Sequence, residues 1–273
     1  MIKITDTVKH LVIINVLVFA LKYILSQKGI DLDSILALHF PKSHLFQIWQ
    51  LVTHIFMHGD INHLLFNMLA LWMFGSALEQ VFGMKKFLFF YFSAGIGAAL
   101  ISLGVDYIDY SINIAPHLSE LNFSKEQINS IMSLDIVQGN MFRGELLGEK
   151  LKDILSNNEL SKLTNSSFEA LFKMNIFAQK AMLGASGAIM GVLVGYGMLF
   201  PNSELMLLFF PVPVKAKYFI PVLIGLDVFS GLTGISIFSP SNTAYWAHIG
   251  GALTGLVMML YWKKTQFNKN RWN

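Results

Sequence analysis

The chain contains no cysteine. Disulfides, a thiolate nucleophile and the cysteine ligands of most structural zinc sites are therefore excluded, and the redox state of the compartment leaves no mark on the sequence. Charge is also scarce. Asp, Glu, Lys and Arg make up 14% of the 273 residues, well below the roughly 25% usual for soluble domains. The formal net charge is only +3, and the basic residues form none of the dense runs that nucleic-acid binding requires. What remains is apolar: 54% of the residues are hydrophobic, with 23 Phe and 14 Met. A water-soluble fold would have trouble hiding that much apolar surface.

The apolar residues fall into long runs, and a helix crossing the ~30 Å hydrocarbon core needs about 20 mostly apolar residues. Runs of this kind lie at 10–26, 61–79, 86–104, 181–200, 217–235 and 243–262. The first, preceded by Lys3 and Lys9, is not followed by a small-x-small cleavage pattern and reads as a retained span, not a secretory signal. Lysine and arginine prefer cytoplasmic loops. Lys3 and Lys9, Lys85 and Lys86, Lys215 and Lys217, and Lys263, Lys264, Lys269 and Arg271 all share one side if the N-terminus is inside. This predicts an all-α, polytopic bundle of six transmembrane helices with both termini cytoplasmic; a bacterial inner membrane is the expected location, though the runs and charges themselves do not specify it.

Three blocks follow: 1–104, with three spans and an outer loop at 27–60; a polar insertion at 105–180; and 181–273, with three further spans and a short tail. The insertion carries ten acidic and seven basic residues, too many for a span, and it is too long for a simple connector. Ser124 ahead of Lys125-Glu126-Gln127, and the charge spacing over 144–154, predict helices within it. The stretch 205–213 is too short to cross, is broken by Pro211 and Pro213, and is expected along the inner interface.

Polar groups inside spans are costly and are by default candidates for function. His58, His63 and Asn67 open the second span, Ser186 lies in Gly184-Ala185-Ser186-Gly187, and His248 lies in Ala247-His248-Ile249-Gly250-Gly251. The second, fourth and sixth spans all run inward, and Ser186 and His248 each fall about five residues into theirs, some 7–8 Å deep at 1.5 Å per residue. Small-residue stripes at Gly187, Gly191 and Gly195, and at Ala247, Gly251 and Gly255, let the two helices approach closely. A serine hydroxyl is a weak nucleophile until a neighbouring base takes its proton. The oxyanion that then forms needs preorganised donors, and His63 and Asn67, at i and i+4 on one helical face, can supply two, with the Ser186 backbone N–H as a third. No acidic residue is evidently placed to orient His248, so a Ser–His dyad is expected. Asp227, in the fifth span, has no assigned partner. Taken singly, Ser186 reads as a packing residue and His248 as a structural histidine; their coincidence at one depth with an oxyanion pair carries the catalytic reading.

The stretch 49–67, WQLVTHIFMHGDINHLLFN, resembles the second-span signature of rhomboid proteases, with His63 and Asn67 at the family's oxyanion positions. GSALEQVFG at 75–83, GASG at 184–187 and AHIGGALTG at 247–255 are similar to the family's further motifs, in order. The resemblance implies a rhomboid-like bundle and an intramembrane serine endopeptidase without cofactor or metal, which cleaves transmembrane protein substrates in or beside their membrane segments. It also implies a water-filled cavity open to the extracytoplasmic side. The alternative is a rhomboid-like pseudoenzyme that binds transmembrane helices without cleaving them. A transporter using His58, His63 and His248 as a proton relay would show repeated halves, and no repeat is present. Three departures stand out: Gln50 where many members have arginine after the tryptophan, Met190 where some place an aromatic ring against the histidine, and the long insertion, which either caps the cavity or selects substrates, or is a stabilising ornament with no role in catalysis.

Overall fold

The computed structural model describes residues 3–139, 141–207, 210–237 and 243–267. The chain divides into two compact units, one formed by Met1–Ala37, Leu51–Ser102 and Met182–Asn273, the other by Leu38–Gln50 and Leu103–Ala181. Residues 38–50 of the expected outer loop thus group with the insertion.

Six apolar helices correspond to the six runs: α1 (Asp6–Ser26), α2 (Ile61–Phe82), α3 (Met84–Ser119), α4 (Ser186–Leu199), α5 (Ala216–Thr233) and α6 (Tyr245–Trp262). Four of them, α1, α2, α3 and α5, are long and apolar enough to cross a membrane. Two differ from expectation. The third run was expected to end at 104, but helix continues through a π-turn at Tyr110–Ile114 to Ser119. The fourth run was expected to be helical from 181, but 181–182 are extended and the helix begins at Ser186 itself.

Large apolar side chains such as Leu17, Leu65, Phe89, Leu232 and Val257 are exposed. An outward apolar surface of this extent marks contact with lipid, and the chain is an integral membrane protein. The core of this unit is built around Leu71, Leu78, Phe87, Phe90, Tyr91 and Val192. Within α2 a π-turn at Leu71–Gly75 widens the helix. One turn further on, the Glu79 carboxylate accepts hydrogen bonds from the Thr5 hydroxyl and from the backbone N–H groups of Thr7 (3.3 Å) and Val8 (3.1 Å). Those N–H groups belong to the first turn of α1 and have no carbonyl partner within the helix. Glu79 therefore fastens α1 to α2. Glu79→Ala strands these buried donors and is expected to cost about 2 kcal/mol or more, read as a lower melting temperature in detergent.

The stretch expected along the inner interface, 205–213, falls within an antiparallel strand pair. Glu204–Leu207 pairs antiparallel with Phe210–Lys215, setting Glu204 opposite Lys215 and Leu205 opposite Val214, because extended pairing satisfies backbone groups that prolines deny to a helix. Lys269, Arg271 and most of the expected loop at 236–242 lie outside the described residues.

The second unit has its own core, centred on Ile114, Ile131, Ile136, Leu147 and Leu171. Its helices are Lys125–Met132, Gly144–Leu151, Asn157–Ser161 and Asn165–Gln179, three of them opened by capping boxes at Ser124, Ser156 and Thr164. Asn175 is fully buried and donates to the carbonyls of Ile131 (2.7 Å) and Leu134 (2.9 Å), joining two of these helices. Gln50, the residue after Trp49, is also fully buried. Its Oε1 accepts from the N–H groups of His39 (3.2 Å) and Gln47 (3.1 Å) and its Nε2 donates to the Leu45 carbonyl (2.8 Å). A neutral amide, with a donor and an acceptor, can tie this loop in a way that a guanidinium, which only donates, cannot.

Candidate active site

Helices α4 and α6 meet backbone to backbone. A Cβ placed on Gly251 would lie 1.8 Å from the Gly187 carbonyl oxygen, and one on Gly255 would lie 2.7 Å from the Gly191 Cα. Only glycine permits that approach. The neighbouring Gly250 faces α3 instead, where a Cβ would fall 3.0 Å from the Gly97 carbonyl oxygen and 2.8 Å from Ile101. The two consecutive glycines therefore serve two different helices, and α6 is held between α3 and α4.

This contact fixes the level of Ser186 and His248. A Cβ on Gly187 would stand 3.3 Å from the Ala247 carbonyl, so Ser186 and His248 each lie one residue from a point where the helices touch. Ser186 is the first residue of α4, and first-turn N–H groups lack acceptors within their own helix and carry the positive end of its dipole. The segment leading into it is held by the Gly184 N–H, which donates to the His54 carbonyl (3.0 Å). Gly184 has φ +121, a conformation that side chains disfavour, and a Cβ there would lie 2.7 Å from His63 Nε2 and 3.6 Å from Ser186 Oγ. The His63 ring nitrogen and the serine hydroxyl thus border the same small space beside Gly184.

Asp60 caps α2 by accepting from the His63 N–H (2.9 Å), which positions the turn that carries the histidine. Asn67, one turn on, is buried, and its Nδ2 has no protein hydrogen-bond partner, leaving a donor for a bound group. His58 does not open the helix; it precedes α2, is fully buried, and stacks edge-on to His63 with centroids 5.1 Å apart. Burial, with His63 next, pushes the His58 imidazole down to about 4, so it is neutral near pH 7. Lys22, paired with Asp33 at 2.6 Å, donates to the His58 carbonyl (3.2 Å). Met190 is buried in the core of this unit. Among the described residues, no group of three or more histidine or carboxylate side chains is arranged to hold a metal ion.

One residue gains a partner that the sequence did not disclose. Asp227 Oδ2 on α5 lies 3.0 Å from His248 Nδ1, and the carboxylate side chain is 4% exposed. The signal available in the sequence was a carboxyl group inside a span; its partner depends on how α5 and α6 pack.

The structure is thus that of a polytopic membrane protein with a serine at a helix N-terminus, a histidine one residue from a glycine contact between helices, and a buried carboxyl group paired with that histidine. A Rhomboid domain model matches residues 45–114 and 137–264, and the chain belongs to the rhomboid family, whose members are known as intramembrane serine proteases. Rhomboid protease GluP of Bacillus subtilis is 46% identical over 54 residues, 20% of this chain and 11% of that protein. An uncharacterized mitochondrial rhomboid protein of Schizosaccharomyces pombe is 26% identical over 227 residues, 79% of this chain and 52% of that one. Rhomboid protease GlpG of Salmonella newport is 46% identical over 41 residues, 15% of either chain. The chain spans about half or less of the length of these relatives.

Proposed function

We propose that this chain is an intramembrane serine endopeptidase that hydrolyses peptide bonds in or near the transmembrane segments of other membrane proteins. The observation that carries this reading is the Gly187–Gly251 backbone contact, which sets Ser186 and His248 at one level while His63 and Ser186 border the space beside Gly184. In the reaction, Ser186 Oγ attacks the substrate carbonyl carbon and its proton passes to a ring nitrogen of His248. The resulting oxyanion accepts hydrogen bonds from His63, from the unpartnered Asn67 Nδ2 and from the Ser186 backbone N–H. The intermediate collapses, the C–N bond breaks and the leaving amine takes the proton from His248. Water then attacks the acyl-serine ester by the same proton path, releasing the carboxylate product and restoring the hydroxyl.

The proposal includes a six-span arrangement in which α4 and α6 also cross. Residues 187–196 of α4 are all buried, so this helix gains its stability from glycine-mediated packing and needs little contact with lipid. The lysine distribution supports a cytoplasmic position for both termini. The relatives include bacterial proteins and one described as mitochondrial, so the comparisons do not single out a bacterial inner membrane.

The test is covalent labelling. A fluorophosphonate, which reacts with activated serines, is expected to modify the detergent-solubilised wild type and to spare Ser186→Ala. A folded wild type that takes up no reagent would overturn the proposal in favour of a helix-binding pseudoenzyme. Gly184→Ala gives a second expectation. The new Cβ must move either the strained backbone or the rigid His63 ring, so labelling is expected to slow by about tenfold or more while the melting temperature falls by the equivalent of only ~1–2 kcal/mol.

A further inference from the structure

We propose that Asp227 is a positioning residue for His248, so that the reactive group is a Ser–His–Asp triad and not a dyad. The inference rests on the serine-protease reading above and adds a residue to it. A carboxyl group on a membrane helix is costly to keep unless it has a partner, and here the partner is a single ring atom. Asp227 Oδ2 lies 3.0 Å from His248 Nδ1, with the aspartate side chain 4% and the histidine side chain 15% exposed. The two residues are 21 positions apart, on α5 and α6, so the contact is made by tertiary packing and not by neighbouring turns of one helix.

The chemistry follows from which nitrogen is engaged. A carboxylate only accepts, so facing Nδ1 it holds the proton there and leaves Nε2 with a free lone pair, the form needed to take the Ser186 proton. When that proton arrives, the ring becomes an imidazolium beside a buried carboxylate, and the ion pair is strongest at the stage where charge develops. The carboxyl also fixes the ring's rotation.

A purely structural tie makes a different forecast. An asparagine amide can donate to or accept from Nδ1, so Asp227→Asn would preserve a structural hydrogen bond. As a positioning residue, Asp227→Asn is expected to lower kcat on a transmembrane reporter by about tenfold or more, with KM within about twofold of wild type and the melting temperature nearly unchanged. Fluorophosphonate labelling should slow in parallel. Equal kcat in a folded Asp227→Asn protein would overturn the assignment and leave the protease reading standing. A folded wild type that is not labelled would remove the protease reading and this assignment with it. A measurement needing no variant at position 227 guards against misfolding. In 15N-histidine-labelled wild type, with His248→Ala used to assign the signal, resting His248 is expected to carry its proton on Nδ1. A resting ring protonated on Nε2 would overturn the assignment.

Discussion

Ser186→Ala is expected to reduce cleavage of a transmembrane reporter by a factor on the order of 10³ or more, with little change in melting temperature. The reasons are chemical and local. Removing Oγ abolishes the covalent path, and residues that act as one unit fail together when any of them is lost. The proposed oxyanion donors, His63, Asn67 and the first-turn N–H of α4, remain in place, so substrate binding should persist and KM should move far less than kcat. The structural cost is small because alanine is a good helix former. Reporter proteolysis in detergent or liposomes, beside a thermal melt, separates the two effects. Cleavage at the wild-type rate by the alanine variant would show that Ser186 is a packing residue after all.

The second large effect is on stability. Gly251→Ala would put a methyl group 1.8 Å from the Gly187 carbonyl oxygen, and the obstacle is backbone, which cannot rotate away as a side chain can. Helices α4 and α6 must separate, so the variant should lose about 3 kcal/mol or more, the upper end of what overpacking costs. Activity should fall with it, since the same contact levels Ser186 with His248. Gly225 on α5 supplies the control: nothing lies within 4 Å of a Cβ built there, and Gly225→Ala should be neutral or slightly stabilising through helix propensity. Melting curves of both variants decide the point. Equal melting temperatures would mean that the two helices are not in backbone contact.

The sequence made these features legible to different degrees, for physical reasons. Apolar runs are set by the solvent, so the six helices could be placed from composition, and the four-residue glycine spacing foretold the α4–α6 contact because only small residues allow it. The capping box at Ser124 was readable because it is made by residues three apart. Contacts between distant segments leave no such local trace. The end of α3 was missed because helix continues into polar sequence where hydropathy gives no signal. The start of α4 was missed because 181–185 are apolar or small, yet only 181–182 are extended and the helix waits until Ser186. The two directions of Gly250 and Gly251 look identical in the sequence. Asp227 was visible as an anomaly, but its tie to His248 depends on the pairing of α5 with α6.

The glycine contact also bears on motion. Larger side chains between helices hold the two backbones apart and can change rotamer, which leaves each rod some room to shift. Between α4 and α6 no such spacer is present at Gly187–Gly251 and Gly191–Gly255, where backbone meets backbone. The serine and histidine should therefore fluctuate together as parts of one stiff body, holding their separation steady in a solvent as restless as lipid.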